Sequence, residues 1–205
     1  MTGMAPGAHG RSADRNRTTK ETDVAAHLDL DHPGAPEIET GLPFFDHMLE
    51  QLGKHGGFSL SVRASGDLAV DAHHTVEDVG ILLGDLFSEA LGDKAGVRRF
   101  ASVSLPLDEA LVDVALDLSG RGFLHYDLEV APDTLPLGSP PFDPQLAEEF
   151  WRAFAHRAGI TLHVTLRYGR NAHHVLEASF KAVARALAEA VRIEGTAVPS
   201  TKGVL

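Results

Sequence analysis

Two histidine pairs stand at the same spacing from a glutamate. His73-His74 is followed by Glu77, and His173-His174 by Glu177. Where such a pair opens a helix, the first histidine and the glutamate are four residues apart and share a face within about 40°. The second histidine is three residues from the glutamate and is also within reach. Adjacent histidines point about 100° apart. They can serve two metal ions, or one ion and one other partner. Imidazole and carboxylate without thiolate suit manganese, iron or zinc, and manganese is favoured where positions must stay open and exchangeable. The positive end of a helix dipole opposes a cation mildly, and the glutamates offset that. One pair alone reads equally well as a surface helix start. Two pairs, each inside a repeat, point to metal.

The repeat supplies further candidates. Ala72-His73-His74-Thr75-Val76-Glu77 faces Ala172-His173-His174-Val175-Leu176-Glu177 at an offset of 100 residues. Gly57 to Val62 faces Gly159 to Val164 at an offset of 102, which sets His47 against Glu149. Both are candidate ligands. Leu28-Asp29-Leu30 faces Leu116-Asp117-Leu118 at an offset of 88, which sets Glu21 against Glu109. His163 alternates outward with Thr161 and Thr165 and is expected to be structural. His27, His32, His55, His125 and His156 have no partner in the pattern. Arg98-Arg99, Arg121, Lys181 and the segment Pro199-Ser200-Thr201-Lys202-Gly203 are candidates for holding an anion, because guanidinium forks and a Ser-Lys turn suit phosphate. That segment lacks the spacing of a Walker loop.

These side chains need elements to position them. Apolar alternation predicts strands at Leu28–Leu30, Phe58–Val62, Leu68–Val70, Val112–Leu118, Leu124–Val130 and Ile160–Leu166. Helical stripes run through Phe45–Leu52, Val76–Leu91 and Leu176–Val191. Asp143-Pro144 reads as an N-cap and first helical residue ahead of Leu146, Phe150 and Phe154. Each half is then strand, helix, strand, His-His, helix, with an extra strand in places. A period near 100 is too long for a solenoid, so the chain is expected to be a duplicated α+β module. Residues 1–19, rich in Gly, Ser and Arg, read as a disordered tail. The first half is set at 20–107 and the second at 108–205. Ala131 to Pro144 reads as a connection.

Composition narrows the class. The chain has 205 residues, 43% of them hydrophobic, with a formal charge of −11 and no cysteine. Disulfides and cysteine nucleophiles are excluded, and a reducing, cytoplasmic compartment is expected. An acidic balance disfavours nucleic acid as a partner. No apolar run reaches the roughly 20 residues of a membrane span.

Several ordered motifs together resemble the imidazoleglycerol-phosphate dehydratase family. They are Thr19-Lys20-Glu21-Thr22, Pro43-Phe44-Phe45-Asp46-His47-Met48-Leu49, Ala72 to Asp78, Asp117-Leu118-Ser119-Gly120-Arg121, Tyr168 to Ala178, and Pro199 to Gly203. The resemblance runs from about Thr19 to Leu205. It implies an internally duplicated fold of the ribosomal-protein-S5-domain-2-like type, with two sheets and packed helices. It implies self-association into trimers and a 24-subunit cage, with sites built between subunits. Two Mn2+ ions per active site would take His47, His73, His74, Glu77, His173, His174 and Glu177. Where this chain has Glu149 the family often has histidine, so Glu149 either ligates through oxygen or leaves one ion a ligand short. The implied reaction removes water from imidazole-glycerol phosphate to give imidazole-acetol phosphate. Its proton leaves a carbon without an adjacent carbonyl, so the ring must take up the electrons, as an imidazolate bridging two metals. Glu21 is the implied acid/base, with Asp108 and Glu109 as alternatives. Glu21, Gln51, Arg99, Arg121, Lys181, Ser200 and Lys202 match substrate-binding positions. Two rivals remain at this point. A dinuclear metallohydrolase needs a bridging carboxylate, and a metal-storage protein is expected to be a bundle of long helices.

Overall fold

The alternating stretches become strands and the 3.6-residue stripes become helices in the computed structural model, which describes residues 10–128 and 135–205. The first half runs β1 (Ser12–Thr18), β2 (Thr22–Asp29), β3 (Glu37–Glu39), α1 (Pro43–Gly56), β4 (Ser59–Gly66) and α2 (His73–Leu91). The second runs β5 (Phe100–Leu107), β6 (Ala110–Asp117), β7 (Phe123–Asp127), α3 (Leu146–Ala158), β8 (Thr161–Tyr168) and α4 (Ala172–Ala190). The sheets are ordered β1-β2-β4-β3 and β5-β6-β8-β7. In each, the first three strands are antiparallel and the last pairs in parallel. Element order, strand order and strand sense therefore all repeat, and the duplicated α+β fold is the one expected.

The edge strand of each half departs from the sequence reading. Residues 12–18 are not a disordered tail; they form β1, paired with β2 from Ser12↔Asp29 to Thr18↔Asp23. Only Ala13 of this strand is buried, so it lacks the large apolar alternation that marks a strand. Backbone pairing and ion pairs hold it instead, with Arg15 to Glu89 at 2.6 Å and Arg17 to Asp78 at 2.8 Å. The corresponding strand β5 pairs with β6 and belongs to the second sheet. The division between halves thus lies between Leu91 and Phe100, not at 107/108. Residues 68–70 form a turn rather than a strand, with Val70 exposed. Helix α3 starts at Leu146, two residues after Pro144, while Asp143 Oδ1 accepts from the Gln145 amide at 3.1 Å. Val130, read as part of a strand, and residues 131–134 of the expected connection lie outside the described residues.

Each long helix covers its own sheet and packs against the shorter helix of the other half, α2 on α3 and α1 on α4. The buried apolar residues of both halves form one continuous cluster. Trp151, Phe150 and Phe180 meet at its centre, with Trp151 and Phe180 rings 4.7 Å apart. On α2, Gly80 and Gly84 lie one turn apart against the backbone of α3. A Cβ on Gly80 would stand 2.8 Å from the Phe150 carbonyl oxygen, and one on Gly84 would stand 2.7 Å from that of Phe154. Among the described residues no helix is long and apolar enough to cross a membrane.

Candidate metal centre

Helix α4 begins where Asn171 accepts hydrogen bonds from the amides of His173 and His174, at 2.9 and 3.4 Å. This N-cap fixes both imidazoles on the first turn. Helix α1 begins with Pro43, and the Thr40 amide and hydroxyl donate to Asp46 Oδ1 at 2.8 and 2.5 Å. That pins the turn carrying His47. Because α1 packs on α4, His47 arrives beside His173 and Glu177. The donor atoms of these three all lie within 4.8 Å of one another, and they are the one such group among the described residues. Glu177 Oε2 is 3.0 Å from His173 Nε2 and 3.5 Å from His47 Nε2.

The surroundings tune this cluster. Lys181 Nζ lies 2.7 Å from Glu177 Oε1. Burial alone would raise the Glu177 pKa, but Lys181, His47 and His173 together bring it below its ordinary value. The carboxylate is therefore ionised and half-shielded, as a ligand must be. The Gln51 amide donates to the His47 carbonyl at 3.2 Å and lies 3.3 Å from His47 Nδ1, leaving Nε2 turned to the cluster. Two imidazole nitrogens and one carboxylate oxygen fit a divalent ion of the manganese, iron or zinc kind.

The other half presents the matching set differently. His73, His74 and Glu77 open α2, with Glu77 exposed, but their donor atoms do not converge with a third ligand. Glu149, the repeat-mate of His47, is held by Arg152 Nη1 at 2.6 and 2.7 Å from its two oxygens. Among the described residues the two His-His units join no common cluster.

The second histidine of each pair is oriented by a carboxylate, the arrangement that fixes the tautomer of a metal-binding imidazole. His74 Nδ1 is 3.0 Å from Asp67 Oδ2, and His174 Nδ1 is 2.7 Å from Glu109 Oε2. Asp67 raises the His74 pKa first by its hydrogen bond, and the charge of Glu21 adds to the rise. Glu109 raises that of His174 in the same way. Glu21 and Glu109, paired by the 88-residue offset, thus act on equivalent histidines, Glu21 by its charge alone and Glu109 by a hydrogen bond. They differ in freedom. Glu109 is bound by His174 and by the amides of Asn171 and Arg170, which hold its pKa down at about 2. The exposed Glu21 carboxylate accepts no hydrogen bond among the described residues. Asp108 stands 3.8 Å from His174 Nε2. Nothing in the sequence marked Asp67 as the partner of His74.

A pH dependence follows for the metal-free protein. Glu109, depressed from 4.5 to about 2, contributes above its unfolded pKa and is lost as pH falls towards about 2. His174, raised from 6.5, contributes below 6.5 and is lost as pH rises through its folded value. The pair is fully formed between those limits. Glu109→Gln should return the His174 titration towards 6.5 when followed by NMR of the imidazole carbons. An unmoved titration would reject the pairing.

The expected anion residues lie on the second half and the C-terminal segment. Arg99 is bidentate to Asp117, at 2.7 and 3.1 Å, and donates to the Pro199 carbonyl at 2.7 Å. It thereby ties the C-terminal segment to β6. Among the described residues the Arg121 guanidinium donates only to the Ser119 carbonyl, at 3.4 Å. Ser200 Oγ accepts from the Lys202 amide at 3.2 Å, shaping the Ser-Lys turn. Lys181 stands apart from the others; its ammonium is on Glu177, because it follows that residue by one helical turn. His163 stands on the outer face of the second sheet beside His125, with ring centres 5.4 Å apart.

Comparison with known proteins shows the family and the fold. A family model described as imidazoleglycerol-phosphate dehydratase matches residues 40–187. The chain is 54% identical over 201 residues to a protein of that name from Anaeromyxobacter sp. (strain Fw109-5), covering 98% of this chain and 97% of the relative. It is 53% identical to one from Acidothermus cellulolyticus, covering 98% and 100%. Its fold is similar to the crystal structure of imidazoleglycerol-phosphate dehydratase from Staphylococcus aureus, with a TM-score of 0.79 at 36% identity, over 89% of this chain and 99% of that one. The Pyrococcus furiosus enzyme in complex with (S)-C348 also gives 0.79, at 35% identity, over 93% and 100%.

Proposed function

This chain belongs to the imidazoleglycerol-phosphate dehydratase family, hydro-lyases of histidine biosynthesis, and from that premise we propose a manganese-dependent dehydration at a two-metal site. The convergence of His47, His173 and Glu177 is the observation that carries the reading. A second ion would draw on His73, His74 and Glu77 together with ligands from another chain, and Glu149 could add an oxygen only by leaving Arg152. Manganese held by these residues would supply Lewis-acid chemistry, letting the substrate's imidazole accept electrons as the C–H bond breaks.

The chain's own residues do the rest. Arg99, Arg121, Ser200 and Lys202 hold the phosphate and so fix the distance from the reacting carbons to the ring site. Gln51 and Lys181 keep His47 and Glu177 in place. Glu21 moves the proton. It is an unengaged carboxylate whose charge acts on His74, whereas Glu109 is held ionised by three partners and is a poor shuttle. Glu21→Gln should keep its manganese and lower turnover about 10²- to 10⁴-fold. Full turnover in that variant would remove Glu21 from the role.

The separation of the two His-His units within one chain supports sites completed between subunits, hence self-association into trimers and a 24-subunit cage. Histidines from different chains would then share an ion. Chelation should reduce the particle size seen by light scattering, and an unchanged size would contradict the shared ion. The dinuclear hydrolase reading loses support because no carboxylate is placed between both ligand sets. The storage reading loses support because two four-stranded sheets stand where a bundle of long helices is expected.

A further inference from the structure

The two halves meet one packing problem and fill it with different residues. In each, the edge hairpin packs against the long helix, β1-β2 against α2 and β5-β6 against α4. The offsets of 88 and 100 residues set Arg17, Thr22, Thr75 and Asp78 against Leu105, Ala110, Val175 and Ala178. In the second half this junction is apolar. Ala110, Val175 and Ala178 are buried, and a Cβ on Gly169 would stand 2.7 Å from Val175 Cγ2 and 3.0 Å from Ala110 Cβ. In the first half Gly66 takes the same place, against Thr75 and Thr22, but the junction is polar. The buried Asp78 accepts from the Thr22 hydroxyl and, at 2.8 Å, from Arg17 Nε.

Folding does not require those polar groups. Well-packed apolar side chains commonly serve a buried junction as well as an ion pair does, and the second half shows alanine and valine sufficing. What differs is the carboxylate that each hairpin carries. Glu109 is clamped at its own oxygens, by His174 and the amides of Asn171 and Arg170. The exposed Glu21 carboxylate accepts nothing among the described residues. The backbone beneath it is clamped instead. Thr22 Oγ1 gives its proton to Asp78, so the Thr19 hydroxyl, 3.1 Å away, donates to Thr22 Oγ1. Thr19 Oγ1 in turn accepts from the amides of Glu21 and Thr22 at 3.1 and 3.0 Å. The Glu21 carbonyl accepts from the amide of Asp67 at 3.1 Å, the residue that orients His74. Asp78 is one helical turn beyond His74. The turn under Glu21 is thereby tied to the helix that presents the first His-His pair.

We propose that Asp78 is a positioning residue for the reaction. Through Thr22 and Thr19 it fixes the turn under Glu21 relative to His73 and His74, and it leaves the Glu21 carboxylate free to move a proton. The polar junction of the first half serves that placement rather than the fold. This rests on the reading of Glu21 as the group that moves the proton.

The test is turnover of imidazole-glycerol phosphate by the full, manganese-loaded chain, with metal analysis and thermal unfolding alongside. Thr22→Ala combined with Asp78→Ala gives the first half the two residues that the second half has at those places. This double variant should fold, keep its manganese and lose about 10- to 100-fold in turnover, the scale of a misplaced reacting group. Added to Glu21→Gln, the same two changes should cost about twofold at most, because no placed proton carrier is left to misplace. Asp78→Asn, whose amide oxygen can still accept from Thr22, should stay within about threefold of the wild type. Should the double variant not fold, Thr22→Val removes the hydroxyl, keeps the shape and carries the same expectations. Losses that multiply in the combined variant, or manganese lost in step with turnover, would make the junction structural and overturn the proposal. Wild-type turnover in the double variant, with Glu21→Gln slow, would overturn the role of Asp78 alone. Full turnover in Glu21→Gln would overturn the reading beneath it as well.

Discussion

His173→Ala should lose one manganese ion per chain and about 10³-fold in turnover. His173 Nε2 is one of three donors that converge, and α4 presents it through a capped first turn. Removing it leaves His47 and Glu177, too few to hold an exchangeable ion against water. A catalytic metal ion contributes several kcal/mol to a transition state, and each ~1.4 kcal/mol is tenfold in rate. The side chain is 43% exposed, so the fold should survive the change. His163→Ala, altering an exposed imidazole on the outer face of β8, is the control and should leave metal content and rate alone. Metal analysis and steady-state kinetics of the two variants decide the matter. A His173→Ala protein with both ions and normal turnover would show that the cluster is not the centre.

Gly84→Val should destabilise the protein by about 3 kcal/mol, or prevent folding. Helix propensity alone argues the reverse, since glycine inside a helix costs about 1 kcal/mol relative to alanine. The packing outweighs it. A Cβ at Gly84 would stand 2.6 Å from Arg157 Cβ, 2.7 Å from the Phe154 oxygen and 3.1 Å from the Ala158 nitrogen. Two of those three atoms are helix backbone and cannot turn aside. Helices α2 and α3 would have to separate, and they join the two halves. Gly84→Ala separates the effects: it should destabilise if contact governs and stabilise if propensity does. Denaturant unfolding of both variants gives the answer.

What the sequence revealed followed from periodicity and repetition. The strands β2, β4, β6 and β8 carry one buried apolar face, so alternation located them, and the repeated His-His-x-x-Glu located the ligands. The edge strands β1 and β5 escaped for different reasons. In β1 only Ala13 is buried and ion pairs to α2 hold the strand. Strand β5 does carry Ala101, Val103, Leu105 and Leu107 in alternation against the core, a row broken to the eye by its serines and proline, and the 88-residue match began only at Glu21 and Glu109. Carried back nine more residues, it would have laid Ser12 on Phe100 and so β1 on β5. Side-chain partnerships between distant segments left no trace of that kind. Asp67 beside His74, Glu109 beside His174, and His47 beside Glu177 depend on tertiary placement, whereas Lys181 on Glu177 is a pair one helical turn apart. The 102-residue repeat did pair His47 with Glu149, but it could not foresee that Arg152 would hold Glu149.

The most direct measurement is turnover of imidazole-glycerol phosphate by the chelated protein, before and after adding Mn2+, with the ketone product followed. The account predicts no ketone from the chelated protein and full formation once about two ions per chain have been returned. Ketone formed at the full rate without metal would contradict the two-metal site. A protein that rebinds two ions and still forms none would contradict the reaction itself.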